Sequence, residues 1–493
     1  MSFARLECAA ATAGDAALSG HSHVLVILPA AAEIPADTPA AEVLRAALRR
    51  RRMKPADLAV TPLAANLDGG SLFAFVMVDA ASSRFARLTA LRRAAMLLLD
   101  ESPREVAVRL FAAPGAGDNL AAEALYVLWI NGLPLPSARR KAAAKPLQRI
   151  RLYGGYPARS FDAVAALARA NHLARELTVL PPNRLTPGVY RKRLRELAGR
   201  QGWAHEEYDL RRLRRLGAGA FIAVAGGSGD EEAAIVRLTW QPAAPRGRVA
   251  LVGKGICFDT GGYNLKPARY MAGMHKDMNG SAVALALLQA AAQAGLPVAI
   301  DAWLAIARND LSPQAYRQSE IVTAMDGTTI EIVHTDAEGR MVLADTLALA
   351  CGGAGTPAPD LIVDFATLTG SMKTALGNRY AGVFASRPAL AEMAVAAGEA
   401  SGERICVFPM DEDYAAALDS KVADIKQCTL EGEADHILAA CFLRRFTNGA
   451  DWIHLDLSAA NCEGGLGAVA GSTTGFGVAW GASLLGHWLR RRP

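Results

Sequence analysis

From Ala234 to Phe365 the chain alternates short apolar runs with helical stretches, and this alternation limits the fold more than any other feature. Ala234–Trp240, Arg248–Val252, Val298–Ala307, Ile330–Val333 and Asp360–Phe365 have the length and branched-apolar content of strands. Between them, Gly280–Ala294 ends on Gly295 and Pro297, and Gly339–Cys351 carries a helical pattern. Strands separated by helices predict an α/β domain whose mostly parallel central sheet is covered by helices.

The first third reads similarly. His23–Pro29, Ser71–Val78, Glu105–Phe111 and Ala124–Ile130 are expected strands, with Ala40–Arg52 an intervening helix. Leu133–Leu147 holds three prolines and a group of cations and reads as a linker. Phe161–Leu177 follows as a helix with Ser160 as its cap, and Thr186–Pro187 opens another in the favoured cap-then-proline order. The expected organisation is a smaller N-terminal α/β domain over 1–150 and a larger C-terminal one over 151–493, divided somewhere between 133 and 160.

Composition excludes several classes. Hydrophobic residues make up 52% and charged residues 20%, so the chain is not disordered. The longest apolar run, around Ala282–Leu288, stops at Gln289, far short of the ~18 residues of a membrane span. Glu7 and Asp15 interrupt the start of the chain, which has no compact apolar leader, so a cytoplasmic location is expected. A net charge of +5 over 493 residues is too dilute to imply a polyanionic partner. Arg49–Arg52 and Arg490–Arg492 read as solvated ends. Seven scattered cysteines without a CxxC pair support neither a disulfide framework nor a thiolate zinc site. The glycine clusters Gly217–Gly219 and Gly226–Gly229, taken to flank a strand, lack the spacing of a dinucleotide loop. Gly253-Lys254-Gly255 lacks that of a P-loop.

The ionisable residues that remain collect at the C-terminal ends of expected strands, where open α/β sheets bind ligands. Arg248–Val252 runs into Lys254, Asp259, Gly261-Gly262 and Lys266. Asp277 follows, just before the helix that starts near Gly280. Ile330–Val333 runs into His334-Thr-Asp336-Ala-Glu338-Gly-Arg340. Asp336 and Glu338, two positions apart, point the same way if the backbone is extended. Four carboxylates in one crevice repel each other, and a pair of divalent cations relieves that repulsion. Such oxygen-rich sites suit Mg²⁺ and Mn²⁺, and Zn²⁺ also accepts carboxylates. Two ions roughly 3.5–4 Å apart can activate a shared water and polarise a carbonyl. Any one of these residues alone reads more simply as a surface ion pair. The set does not, because it is embedded in apolar and glycine-rich segments.

At these residues the sequence resembles the leucyl aminopeptidase family, the two-metal M17-type cytosol peptidases. The segments that carry the resemblance are His334–Leu343 (HTDAEGRMVL) with Ala344-Asp345, Val252–Lys266 (VGKGICFDTGGYNLK), Met274–Ala282 (MHKDMNGSA), and Ala366–Gly370 (ATLTG) with Ala375–Gly377. Weaker echoes are LPPNRLTP at 180–187, DGTTIE at 326–331, ADIK at 423–426 and WIHLDL at 452–457. The resemblance covers about 160–490 and leaves the first ~150 residues without a signature.

The resemblance implies that Lys254, Asp259, Asp277 and Glu338 hold the tighter metal, and Asp259, Asp336 and Glu338 the more exchangeable one. It implies that Lys266 steadies the oxyanion, and that Arg340 holds a bicarbonate ion serving as general base. Met274, His334, Thr367, Leu368 and Gly370 would line an apolar pocket for the first residue of a peptide. The implied metals are two zinc or manganese ions per subunit, with magnesium a third option, and the implied assembly is a homohexamer. On this reading 151–493 is a dinuclear-metal peptidase domain releasing Leu- or Met-like N-terminal residues, and 1–150 serves assembly. The sequence departs from the family pattern at His334 (usually Asn), Asn279 (usually Gly) and Thr260 (commonly Ser), none of them an implied ligand. Two competing readings stand beside it. One is an assembly or DNA-binding protein on the same scaffold, which Arg49–Arg52 leaves open. The other is a two-metal phosphoesterase, against which speaks the absence of any of the nine histidines from the implied ligand set.

Overall fold

The structure is a computed structural model that describes residues 3–9, 15–67, 69–111, 117–140, 144–229 and 231–492. The chain divides into two compact units. The first comprises Met1–His172, Glu399–Glu403 and Cys462–Thr474; the second comprises Leu173–Gly398, Arg404–Asn461 and Gly475–Pro493. The region expected to hold the boundary, 133–160, falls inside the first unit. Its strand Arg149–Tyr153 pairs on both sides, with Arg5–Ala9 and with Glu105–Leu110, and so completes that unit's sheet. The described residues of Leu133–Leu147 carry no helix or strand.

The first unit is built on a six-stranded sheet, parallel except at the edge strand Leu63–Asn66. Val24, Val26 and Leu28 belong to one core and Leu25 and Ile27 to another, so strand alternation feeds both faces. Ala124–Ile130, expected as a strand, is the second half of the helix Gly117–Asn131. Seven apolar residues in a row fit a buried helix as well as a buried strand. This helix is buried nearly all round, with Glu123 neutralised by Arg87 at 2.7 Å.

The second unit carries an eight-stranded sheet whose centre is parallel. Trp452–Asp456, Leu361–Ala366, Arg248–Asp259 and Ala299–Asn309 lie side by side in that order. Antiparallel pairings occur toward both edges. The mixed α/β class with a mostly parallel core is therefore as expected. The helix Asn279–Gln293 packs against the central strands and is buried along most of its length. Gly280 makes this possible, since a Cβ there would lie 2.0 Å from the Phe365 carbonyl oxygen.

Two local expectations change. Gly217–Gly219 and Gly226–Gly229 bracket the helix Gly219–Ala225 rather than a strand. A Cβ on Gly219 would lie 2.2 Å from the Thr323 carbonyl oxygen, so close packing explains that glycine. The strand expected at Ile330–Val333 is the shorter Thr329–Glu331, and it does not join the main sheet. It forms a three-stranded side sheet, antiparallel to Ile321–Thr323 and parallel to Ile425–Lys426. All seven cysteines are free. Arg49, Arg50 and Arg51 are exposed in the last turn of the helix Ala41–Arg51, where the helix dipole favours cations. Among the described residues no helix is long and apolar enough to cross a membrane.

Candidate active site

The long strand Arg248–Asp259 delivers two of the ionisable residues. Lys254 rises from its middle, buried to 3% exposure, and Asp259 ends it. Gly253 and Gly255 flank Lys254 because backbone crowds both sides. A Cβ on Gly253 would lie 2.4 Å from Ser281 Cα, and one on Gly255 2.7 Å from the Ala305 carbonyl oxygen. After Asp259 the chain turns at Gly261 and Gly262 with φ of +87° and +67°, angles that suit glycine. That turn returns Lys266, whose N–H donates to the Thr260 carbonyl at 2.9 Å. Asp277 enters from the single turn Met274–Lys276, just ahead of the helix Asn279–Gln293.

Asp336 and Glu338 come from the loop after the side sheet. Their backbone is not extended: Asp336 lies in a turn, and Glu338 is the first residue of the helix Glu338–Ala350. The side chains nevertheless converge, because the turn and the helix start aim both inward. Carboxylate oxygens of Asp259, Asp336 and Glu338 lie within 4.8 Å of one another. Gly339 leaves room for these side chains, since a Cβ there would lie 2.7 Å from Lys254 Nζ and 2.8 Å from Leu368 Cδ1 and both would have to shift. Asp345 anchors this helix by accepting from the N–H groups of Phe221 and Met325, each at 2.8 Å. Burial pushes its carboxyl up to about 7, against those two donors.

Two lysines bridge the acids. Lys254 Nζ lies 2.8 Å from Asp277 Oδ2 and 2.7 Å from Glu338 Oε1, and it donates to the Thr367 carbonyl at 3.0 Å. Lys266 Nζ lies 2.9 Å from Asp259 Oδ2 and 2.5 Å from Asp336 Oδ1. Burial would depress both ammonium groups. The surrounding carboxylates outweigh it and hold both above the usual lysine range, Asp277 leading for Lys254 and Asp259 for Lys266. Asp277, Asp336 and Glu338 are all pushed up, first by burial and then by mutual repulsion, with the lysines opposing. Four carboxylates against two ammonium groups leave an excess of two negative charges in a buried place. Asp277 Oδ2, Asp336 Oδ1 and Glu338 Oε1 receive no aligned hydrogen bond among the described residues. A donor set of hard oxygens with surplus negative charge fits divalent cations.

The supporting polar groups were not legible beforehand. Asn309 donates to Asp259 Oδ1 at 2.9 Å and to the Thr335 carbonyl at 3.1 Å, linking the two acid-bearing segments. Thr367 Oγ1 donates to Asp277 Oδ1 at 2.6 Å. Asp456 accepts from Thr369 Oγ1 at 2.6 Å and from the Leu368 N–H at 3.2 Å, which pins the ATLTG loop. Asn309 ends an apolar strand and so carried a signal; Asp456 lay in a weaker motif.

Of the expected pocket residues, Leu368 lies beside Gly339 and Lys254, Thr367 touches Asp277, and Gly370 opens the helix Gly370–Leu376 capped by Thr369. Met274 is half-buried at the start of the turn before Asp277. His334 Nδ1 accepts the Asp336 N–H at 3.2 Å, so it braces its own loop. Burial, then the Lys266 charge, lowers its pKa. Asn279 is fully buried and donates to Thr178 Oγ1 at 2.9 Å. His454 is a core residue, its Nδ1 2.5 Å from Asp364 Oδ1.

Arg340 is held from two sides by the protein. It is 3% exposed, its Nη1 donates to the Gln427 carbonyl at 2.8 Å, and its Nη2 pairs with Asp435 Oδ1 at 2.7 Å. Each terminal nitrogen thus spends one of its two N–H groups on the protein, and Asp435 offsets the guanidinium charge.

Residues 172–480 match the model of the cytosol aminopeptidase family, catalytic domain. The chain belongs to the cytosol aminopeptidase family. Among curated relatives of this family, a probable cytosol aminopeptidase of Wolbachia pipientis is 38% identical over 324 residues, 65% of this chain and 64% of that protein. One of Roseiflexus castenholzii is 40% identical over 301 residues, 61% of each chain. The alignments thus span somewhat less than two thirds of these relatives' length. The bottromycin maturation enzyme BotP, solved in complex with Mn, superposes with a TM-score of 0.83 at 32% identity, covering 94% of this chain and 98% of that one.

Proposed function

We propose that this chain is a metalloaminopeptidase that releases N-terminal residues, Leu- or Met-like with broad tolerance, from peptides. The observation that carries this reading is the buried gathering of Lys254, Asp259, Lys266, Asp277, Asp336 and Glu338 around an excess of negative charge. Family membership supports the same chemistry.

In this reading Asp259, Asp277 and Glu338 would hold one divalent ion together with Lys254, whose ammonium would give up its proton as the cation takes over the charge of the acids, and Asp259, Asp336 and Glu338 would hold a second. Such a pair supplies an activated water and a Lewis-acid grip on the scissile carbonyl. Manganese and zinc both suit the donor set, and the Mn in the BotP complex supports the former. Lys266 provides the fixed positive charge for the developing oxyanion, which a buried ammonium does more effectively than a solvated one. Thr367 and Asn309 orient Asp277 and Asp259. A cleft dense in carboxylates favours a free α-amine, which agrees with action at the N-terminus. Leu368, Met274, Thr367, Gly370 and His334 would receive the first side chain.

The family resemblance also supports a homohexamer in which the N-terminal unit serves assembly, and the relatives' description as cytosol enzymes supports a cytoplasmic location. Light scattering on the purified chain reads the first directly. The test of the activity is hydrolysis of leucine p-nitroanilide after chelation and re-addition of Mn²⁺ or Zn²⁺, with Asp336→Ala and Glu338→Ala as controls. Activity that survives both substitutions overturns the assignment.

A further inference from the structure

We propose that Gln427 is a positioning residue for the acidic cluster: its side-chain amide holds the loop that carries Asp336 in the shape in which that carboxylate meets Asp259 and Glu338. This rests on the two-ion site of the proposed function, and it names the residue through which the grip on the second ion is set.

Gln427 follows the strand Ile425–Lys426 of the side sheet and is fully buried. Each of its polar atoms engages one stretch of chain, 331–340. The backbone N–H donates to the Glu331 carbonyl at 3.1 Å, and the backbone carbonyl accepts from Arg340 Nη1 at 2.8 Å. Oε1 accepts the N–H groups of Val333 at 2.8 Å and His334 at 3.1 Å, while Nε2 donates to the Ala337 carbonyl at 3.3 Å. Two donors on one side and an acceptor on the other fix which way the amide faces. One buried amide thus ties the entry of the loop to its exit, and Asp336 sits on the arc between them.

The tie reaches Asp336 through His334. With its own N–H held by Gln427, His334 presents Nδ1 to the Asp336 N–H at 3.2 Å, and its carbonyl accepts the Ala337 N–H at 3.0 Å. Thr335 is fastened from the other side by Asn264, Asn309 and Tyr316. Removing the amide would leave two N–H groups and a carbonyl without partners, so the loop would have to move to satisfy them. Glu338 has separate support, because Asp345 anchors its helix. In the proposed ligand sets Asp336 serves the second ion alone, whereas Lys254 and Asp277 serve the first alone. Loosening the loop therefore weakens the second ion selectively. Spacing gave no sign of this role: the ADIK echo stops one residue before Gln427, and its side-chain partners lie 90 to 94 positions upstream.

Gln427→Met keeps the length of the side chain and removes the amide. Calorimetric titration of the metal-stripped protein with Mn²⁺ is expected to show two ions per chain in the wild type. In Gln427→Met the first ion should bind with unchanged affinity and the second about 10–100-fold more weakly, the scale on which partners that orient a metal-binding side chain act. A merely structural role would weaken both ions together or neither, and either result overturns the proposal. Exchange of the Val333 and His334 amide protons in the metal-stripped wild type reads the tie directly, whether or not the variant folds. Protection is expected there, and exchange at the rate of an open chain overturns the proposal. A wild type that takes up fewer than two ions overturns the two-ion site itself and this role with it. Two ions in the wild type with the same two affinities in Gln427→Met overturn the role of Gln427 alone.

Discussion

Lys266 Nζ stands 2.9 Å from Asp259 Oδ2, a buried ammonium against the carboxylate that closes the longest strand of the second unit. Its charge compensates the acids, and in the proposed function it would also meet an oxyanion. Lys266→Met is expected to lower kcat for leucine p-nitroanilide by about 10²–10³, as for loss of an oxyanion donor, with little change in KM. Metal uptake should be preserved or tightened, since a competing cation is gone. Steady-state kinetics with metal analysis on the same sample check both.

Removing metal should cost stability as well as activity. Without divalent ions the four carboxylates have only two lysines to offset them. Ligand held at a hundred times its Kd adds about 2.7 kcal/mol, so chelation is expected to lower the unfolding temperature by several degrees, reversibly. Glu338→Ala, which removes an acid facing both groups, should abolish the difference. Scanning calorimetry with and without chelator measures it.

His454 and Asp364 make a separate pH-sensitive pair in the core. His454 Nδ1 lies 2.5 Å from Asp364 Oδ1, neither residue is exposed, and Trp452 Nε1 donates to Asp364 Oδ2 at 2.6 Å. Burial would depress the imidazole, but the Asp364 carboxylate outweighs it and raises the pKa above the usual 6.5. A folded-state pKa raised above the unfolded one gives stability that is fully present below about 6.5. That stability is lost as the pH rises through the folded value. Chemical denaturation across pH 6 to 9 should therefore show a decline that His454→Leu lacks. The variant itself should be about 3–5 kcal/mol less stable, because it strands a buried carboxylate.

Gly280→Ala tests the seating of the Asp277 segment. Alanine would normally favour a helix over glycine by about 1 kcal/mol. Here its Cβ would lie 2.0 Å from the Phe365 carbonyl oxygen, so the helix must move off the strand. A net loss of about 1–3 kcal/mol is expected, with weakened metal uptake because Asp277 moves with the helix. Denaturant titration and metal analysis read the two effects.

The sequence was most legible where local signals agreed. Thr186 and Pro187 cap a helix as expected, with Thr186 Oγ1 accepting the Val189 N–H. Ala234–Trp240 is a strand with the expected bounds, and the helices at Gly280 and Gly339 are displaced by a single residue at the start. Ala124–Ile130 misled because a wholly apolar run has no period to read. The convergence of Asp336 and Glu338 was anticipated, but an extended strand was the wrong cause; a turn and a helix start produce it. Asn309, Gln427 and Asp435 were missed because each acts across a long sequence separation, which spacing does not encode.

The side sheet gives the acidic cluster two independent suspensions. Lys254 and Asp259 hang from the central strands, whereas Asp336 follows a three-stranded flap tied down by residues as distant as Ile425–Lys426. Ions seated between them would rivet the flap to the main framework. Stripping the rivets should let the flap's amide protons exchange sooner than those of the framework, turning a catalytic centre into a mechanical joint.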